Sequence, residues 1–181
     1  MMKVRQNAST DSELFGYFVG HFTENIARLR LSAGVPITHL LMDGHEPFYA
    51  PNLIASDGRK PKNLDIVEIE LSTGNAIAIY EVKAAMGLEK EFRINGQCGQ
   101  FMKLAAERNI PTYLTVVRLD RAIRLDILKE DSKTKEAHVD EEVYASELDH
   151  FIKHAKIEVY DSKQFSMSSD MFVVSDKFVY P

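Results

Sequence analysis

An α/β fold with a mixed central sheet flanked by helices is predicted by three observations. Two segments with helical periodicity flank a β-hairpin pattern, a Gly/Asn turn joins the hairpin's strands, and an unbroken β-branched run follows the second helical segment. The chain has 181 residues, 45% hydrophobic and 27% charged, which suits a folded globular chain and excludes global disorder.

Thr10-Asp11-Ser12-Glu13 matches a capping box, and Phe15, Phe18, Phe22, Ile26 and Leu29 follow at three- and four-residue steps. This predicts a first helix that stops near Gly34, with Pro36 just beyond. Pro47 to Ala55 reads as a weak first strand, closed by the turn pair Asp57-Gly58. Asp65 to Leu71 and Ala76 to Lys83 alternate around Ser72-Thr73-Gly74-Asn75, the pattern of a β-hairpin. Leu88 to about Arg108 carries the stripe Ile94, Cys98, Phe101 and Ala105, ahead of Pro111. Thr112 to Val117 reads as an interior strand. The order to this point is helix, three strands, helix, strand.

Further on, Ile123, Leu125 and Ile127 alternate like a strand, and Lys129 to Glu142 has the mixed charge of a solvated loop. Ser146 to Ala155 suggests a short helix, and Ile157–Tyr160 and Phe172–Tyr180 suggest strands. No linker composition divides the chain, so a core over about residues 10–118 with an α+β extension over about 119–181 is expected.

Several function classes are excluded on composition. No apolar run approaches the roughly 20 residues of a membrane-spanning helix. The polar stretch after Lys3 and Arg5 is unlike a secretory signal, so a cytoplasmic location without membrane association is expected. Cys98, a lone cysteine, supports neither an internal disulfide nor a structural zinc site, and its place on a helical stripe favours a packed thiol. A net charge of −5 excludes a uniformly basic surface, though not a local basic patch.

The chemically informative residues lie in the hairpin. Glu81 and Lys83 are two apart and share a sheet face, and Asp65 joins them if the strands pair in an even register. Two adjacent carboxylates repel unless a cation separates them, and hard oxygen ligands favour Mg²⁺. A lysine on the same face could help to deprotonate a water or stabilise charge on a phosphate. The competing structural explanation is a surface ion pair of Lys83 with Asp65 or Glu81, worth about 0–1 kcal/mol.

Asp65 followed by Glu81-Val82-Lys83, in a hairpin between two helices, resembles the PD-(D/E)xK nuclease superfamily, also called restriction endonuclease-like. The resemblance covers roughly the first two thirds of the chain and implies an αβββαβ core with divalent-metal-dependent cleavage of nucleic acid, DNA being expected. Carried over by position, Asp65 and Glu81 become metal ligands, joined by the Val82 carbonyl, and Lys83 becomes the catalytic lysine. Mg²⁺ is the implied cofactor, with Mn²⁺ able to substitute. The sequence departs from the motif in having Leu64 before Asp65, with proline displaced to Pro61.

Other residues are candidates for supporting roles. Gln100 and Gln97 compete for the catalytic-helix glutamine found in some superfamily members, and Arg93 would share their side of a helix. Arg59, Lys60 and Lys62 form a basic loop suited to backbone phosphates. The resemblance also makes Glu24 a candidate, since first helices in the superfamily sometimes supply a metal carboxylate, but it projects nearly opposite Phe22 and Ile26, which counts against it unless both faces of that helix are covered. Glu68 and Glu70 alternate away from Asp65. The six histidines form no recognisable ligand set, and His150 and His154 lack an accompanying Glu. The expected function is metal-dependent endonucleolytic hydrolysis of phosphodiesters, alone as a homodimer or within a larger nuclease complex. The alternatives are a non-catalytic nucleic-acid-binding or assembly subunit retaining the fold, and an unrelated α/β protein.

Overall fold

The first helix, α1 (Asp11–Ser32), opens a computed structural model that describes residues 11–94, 96–130 and 137–179. Phe18, Phe22, Thr23, Ile26 and Ala27 are buried on one stripe of α1, while Leu29 is about half exposed. The helix ends ahead of Gly34 and Pro36, as the spacing predicts. Thr10 of the expected capping box lies outside the described residues.

The first strand is not where the sequence suggests it. β1 is His39–Gly44, and 47–55 is an extended loop with one 3-10 turn at Pro51–Leu53. Pro47 and Pro51 have no N–H to give to a ladder, and the loop is stitched to the sheet by a side chain instead. Asn52 donates to the Ala76 carbonyl at 2.6 Å and accepts from the Ala76 N–H at 2.9 Å.

β2 (Leu64–Glu70) and β3 (Ala76–Met86) form the expected antiparallel hairpin. Gly74 takes the left-handed conformation (φ 70°) that its turn requires. The register pairs Ile66 with Tyr80 and Val67 with Ile79. β1 pairs with β2 through an irregularity at Gly44, which faces Leu64. A Cβ on Gly44 would lie 3.0 Å from both the Leu64 side chain and the Leu64 carbonyl oxygen.

The second helical segment is shorter than its periodicity predicts. β4 (Glu91–Arg93) precedes α2 (Gly96–Glu107). Glu91 and Arg93 are exposed around buried Phe92, and the strand pairs with residues nearly eighty positions later. α2 leads to β5 (Thr112–Leu119), which runs parallel to β3, as a helical crossover allows. The αβββαβ order expected of the core is therefore present, with β4 inserted before α2.

In the last third, Leu125–Ile127 is a 3-10 turn with Leu125 exposed, in place of the expected strand. The 129–142 region is not simply a loop: β6 (Leu128–Glu130) pairs with β7 (Ala137–Val139). The helix α3 spans Glu141–His154, longer than expected, because Asp140 caps it by accepting from the N–H groups of Glu142 and Val143. β8 (Lys156–Asp161) joins β5 antiparallel, and the central sheet has the order β1-β2-β3-β5-β8. β9 (Phe165–Met167) and β10 (Met171–Val174) complete a small sheet with β4. The expected strand to Tyr180 stops at Val174, and Tyr180 lies outside the described residues.

The protein is thus a mixed α/β structure in which helices cover both faces of a mixed sheet. Ile79, Leu114 and Val116 pack with Phe101 and Met102 of α2 on one face. On the other, Val82, Val117 and Val159 pack with Phe18 and Phe22 of α1 and Phe151 of α3. Among the described residues no helix is long and apolar enough to cross a membrane.

Candidate active site

The hairpin register, continued by one residue, sets Asp65 across from Glu81. Both then point to the α2 face, as does Lys83 two residues on. Asp65 Oδ2 accepts from the Val82 N–H at 2.6 Å. The Glu81 carboxylate is shared between two donors, with Lys83 Nζ at 2.6 Å from Oε1 and Cys98 Sγ of α2 at 2.7 Å from Oε2. Asp65 is 9% exposed and Glu81 2%, so the Lys83–Glu81 contact is not a solvated surface pair.

Burial pushes the Asp65 carboxyl well above its ordinary pKa, and the nearby Glu81 and Glu24 charges push it further than Lys83 and the Val82 N–H can offset. Lys83 moves the other way from what burial alone would give. Burial disfavours its charge, but Glu81 and Asp65 together outweigh that and hold its pKa above the ordinary lysine value. Lys83 is therefore an ammonium at neutral pH and suits charge stabilisation better than proton abstraction. Cys98 is the packed thiol that its stripe predicts, pushed well up by burial and by Glu81.

Two residues reach this site that sequence reasoning set aside. His45, just past β1, places Nε2 2.9 Å from Glu24 Oε2 and 3.6 Å from Asp65 Oδ1. His21 Nδ1 is 3.3 Å from the same Glu24 oxygen. Burial raises Glu24, yet hydrogen bonds with His21 and His45 overcome it and bring the carboxyl to about 2. The Glu24 hydrogen bond, working against burial, lifts His45 to about 9. Glu24 does project away from Phe22, but at about 100° per residue it lies only about 60° from Ala27, which is fully buried. It is a flank residue beside the core, and two of the six histidines, His21 and His45, converge on it, so that the three offer a ligand set the sequence does not mark.

The remaining candidates divide. Arg59, Lys60 and Lys62 line a cavity of about 250 Å³ with Pro47 and Phe101. Arg59 is tied to Asp57 (Nε to Oδ2, 2.7 Å) and to Gln100 (Nη1 to Oε1, 3.3 Å), whereas Lys60 and Lys62 have no ion pair among the described residues. Gln100 therefore meets the basic loop. Gln97 lies on α2, but its side chain is outside the described residues. Arg93 belongs to β4, opposite Met171, and does not share a helical side with the glutamines, because pairing with β10 holds 91–93 extended. Glu68 sits on the opposite sheet face from Asp65, buried and engaged by His39 (2.9 Å) and Tyr80 (3.0 Å). Glu70 accepts from Thr73 Oγ1 at the turn.

No protein-family model matches this chain, and no curated protein matches it in sequence. Among solved structures, Hjc from Archaeoglobus fulgidus, a Holliday junction resolvase from an archaeal hyperthermophile, aligns with 68% of this chain and 90% of its own. The aligned residues are 16% identical and the TM-score is 0.29. The chemistry proposed below rests on the side chains of the β2–β3 hairpin.

Proposed function

We propose that the chain is a divalent-metal-dependent endonuclease that hydrolyses phosphodiester bonds of DNA. The observation that carries this reading is the placement of two buried carboxylates, Asp65 and Glu81, on facing strands with the Lys83 ammonium two residues further along the same face.

The donor set fits Mg²⁺, with Mn²⁺ as substitute. Carboxylate oxygens are the ligands that hard cations take, usually one or two per Mg²⁺, with waters and phosphate oxygens completing the shell. Asp65 and Glu81 would supply them. A strand residue's N–H and C=O leave on the same edge, so the Val82 carbonyl faces the side on which its N–H meets Asp65 and would offer a third oxygen. A bound Mg²⁺ supplies Lewis acidity toward phosphate and a water acidic enough to attack it.

The chain's own groups do the rest. Asp65 and Glu81 would hold the cation and, through it, set where the reacting phosphate lies relative to the sheet. Lys83 places positive charge where negative charge grows on the phosphate oxygens, and its high pKa keeps that charge in place. Lys60 and Lys62, without acidic partners among the described residues, would hold flanking backbone phosphates with Arg59, and Gln100 would steady Arg59.

The test is cleavage of single- and double-stranded DNA and RNA in Mg²⁺, Mn²⁺ and EDTA. Wild type should cut DNA with either metal, and both EDTA and Asp65→Asn should abolish cutting. Tight nucleic-acid binding without cleavage in any metal would replace this reading with a non-catalytic binding subunit.

A further inference from the structure

We propose that His21, Glu24 and His45 form a second metal site, distinct in chemistry from the carboxylate pair and suited to Zn²⁺ rather than Mg²⁺. His21 and Glu24 are three residues apart on α1 and so project from one side of the helix. His45 arrives from the segment after β1 and completes the set. One ligand atom from each residue falls within 4.8 Å of the other two. Both rings converge on a single carboxylate oxygen, with His45 Nε2 at 2.9 Å and His21 Nδ1 at 3.3 Å from Glu24 Oε2.

Those separations are close to what a tetrahedral ion demands. Ligand atoms about 2.0–2.1 Å from Zn²⁺ at tetrahedral angles stand about 3.3 Å from one another, so small side-chain adjustments would admit the ion. Two imidazoles and one carboxylate form a set that borderline transition metals prefer, whereas Mg²⁺ prefers oxygen alone. Three protein ligands leave a fourth position open to water. His21 is exposed and the other two are half-buried, which gives an ion a route in from solvent.

The site would fasten α1 to the chain between β1 and β2, elements joined here through side chains. It would also fix His45, whose Nε2 is 3.6 Å from Asp65, and so couple the ion to the edge of the proposed cleavage site without using the ligands of that site. The inference stands whether or not Asp65 and Glu81 support hydrolysis.

Metal-free, untagged full chain is titrated with Co²⁺, followed by its visible absorption, and with Zn²⁺, followed by calorimetry, both in excess Mg²⁺. Wild type should show a single saturable Co²⁺ phase with the absorption of a nitrogen-ligated ion, displaced by Zn²⁺ and untouched by Mg²⁺. His21→Ala and His45→Gln should lose that phase, and the double variant Asp65→Asn with Glu81→Gln should keep it. The proposal is overturned if wild type shows no saturable phase, if His21→Ala retains it, or if the carboxylate double variant alone loses it. His21 is exposed, so His21→Ala should melt with wild type in EDTA and decides the matter even if His45→Gln does not fold. Mg²⁺-dependent cleavage, scored separately on the same proteins, reports on the hydrolytic reading independently.

Discussion

Glu158 and Asp65 are both buried carboxylates on the central sheet, yet their surroundings are opposite. Glu158 on β8 is met by Arg118 Nε at 2.6 Å, Lys156 Nζ at 2.8 Å and the Tyr160 hydroxyl at 2.8 Å. Burial raises its pKa, but Lys156, Tyr160 and Arg118 together bring it below the ordinary value. Asp65 has one backbone N–H and shares its neighbourhood with Glu81 and Glu24, and its pKa lies well above the ordinary value. Glu147 resembles Glu158, gripped by both terminal nitrogens of Arg121 at 2.7 and 2.8 Å. A carboxylate that serves the fold brings its own cations, whereas around Asp65 three carboxylates, Asp65, Glu81 and Glu24, outnumber Lys83 and His45. A divalent cation would supply the charge that is missing there.

The sharpest way to break that contrast is cleavage. Asp65→Asn should eliminate metal-dependent cutting, and Lys83→Ala should lower turnover by about 10²–10⁴-fold, the range for a group acting on the transition state, with little change in DNA affinity. Single-turnover rates beside equilibrium binding separate the two effects, and a Lys83→Ala rate equal to wild type at saturating DNA would remove Lys83 from the chemistry.

Stability supplies the next contrast. In EDTA, Glu158→Gln should destabilise the fold by about 1–3 kcal/mol, because buried cationic partners lose their acceptor, whereas Asp65→Asn should stabilise it by relieving repulsion. Denaturant melts of both variants measure this directly, and destabilisation of similar size in the two would show that Asp65 is an ordinary structural carboxylate.

The pH dependence has opposite signs at the two sites. Glu158 has a lowered folded pKa, so its stabilising contribution is present above the ordinary value of 4.5 and is lost as pH falls through the lowered one. Asp65 has a raised folded pKa, so its penalty is absent below the ordinary value of 3.8 and grows as pH rises through the raised one. Wild type should therefore lose stability relative to Asp65→Asn as pH rises through that interval in EDTA. Chemical melts across pH test this, and parallel curves would contradict it.

The smallest effect belongs to the basic loop. Replacing Arg59 and Lys60 with alanine should weaken DNA binding and reduce the salt slope by about 0.9 for each lost contact with duplex phosphate, without changing turnover at saturation. An unchanged slope would place DNA elsewhere on the surface.

The sequence revealed most where local rules govern. Alternation along β2 and β3, with an even register, was enough to bring Asp65, Glu81 and Lys83 to one face. The helical stripe of α2 likewise found Cys98 and Phe101 in the core. It was least informative where distant partners decide. Residues 91–93 have helix-compatible spacing but are drawn into a strand by β10, which local periodicity does not register. His45 lies in no helix or strand, so no period marks it. Glu24 lies nearly opposite Phe22 and Ile26, and only the fold shows that the covered face of the helix extends to the fully buried Ala27 beside it.

Gly44 is the point from which the width of the site is set. His45 follows Gly44, and Asp65 lies in the irregularity between Leu64, which faces Gly44, and Ile66, which faces Asp43, so the two groups 3.6 Å apart flank the Gly44–Leu64 contact. That approach is possible because Gly44 presents a hydrogen where any other residue would press on the Leu64 carbonyl. Gly44 thus acts as a calliper, itself taking no part in the chemistry. One added methyl group would part its jaws, pressing on Leu64 and on Val67 Cγ2 3.1 Å away, and so shift the strand that carries Asp65 against the turn that carries His45.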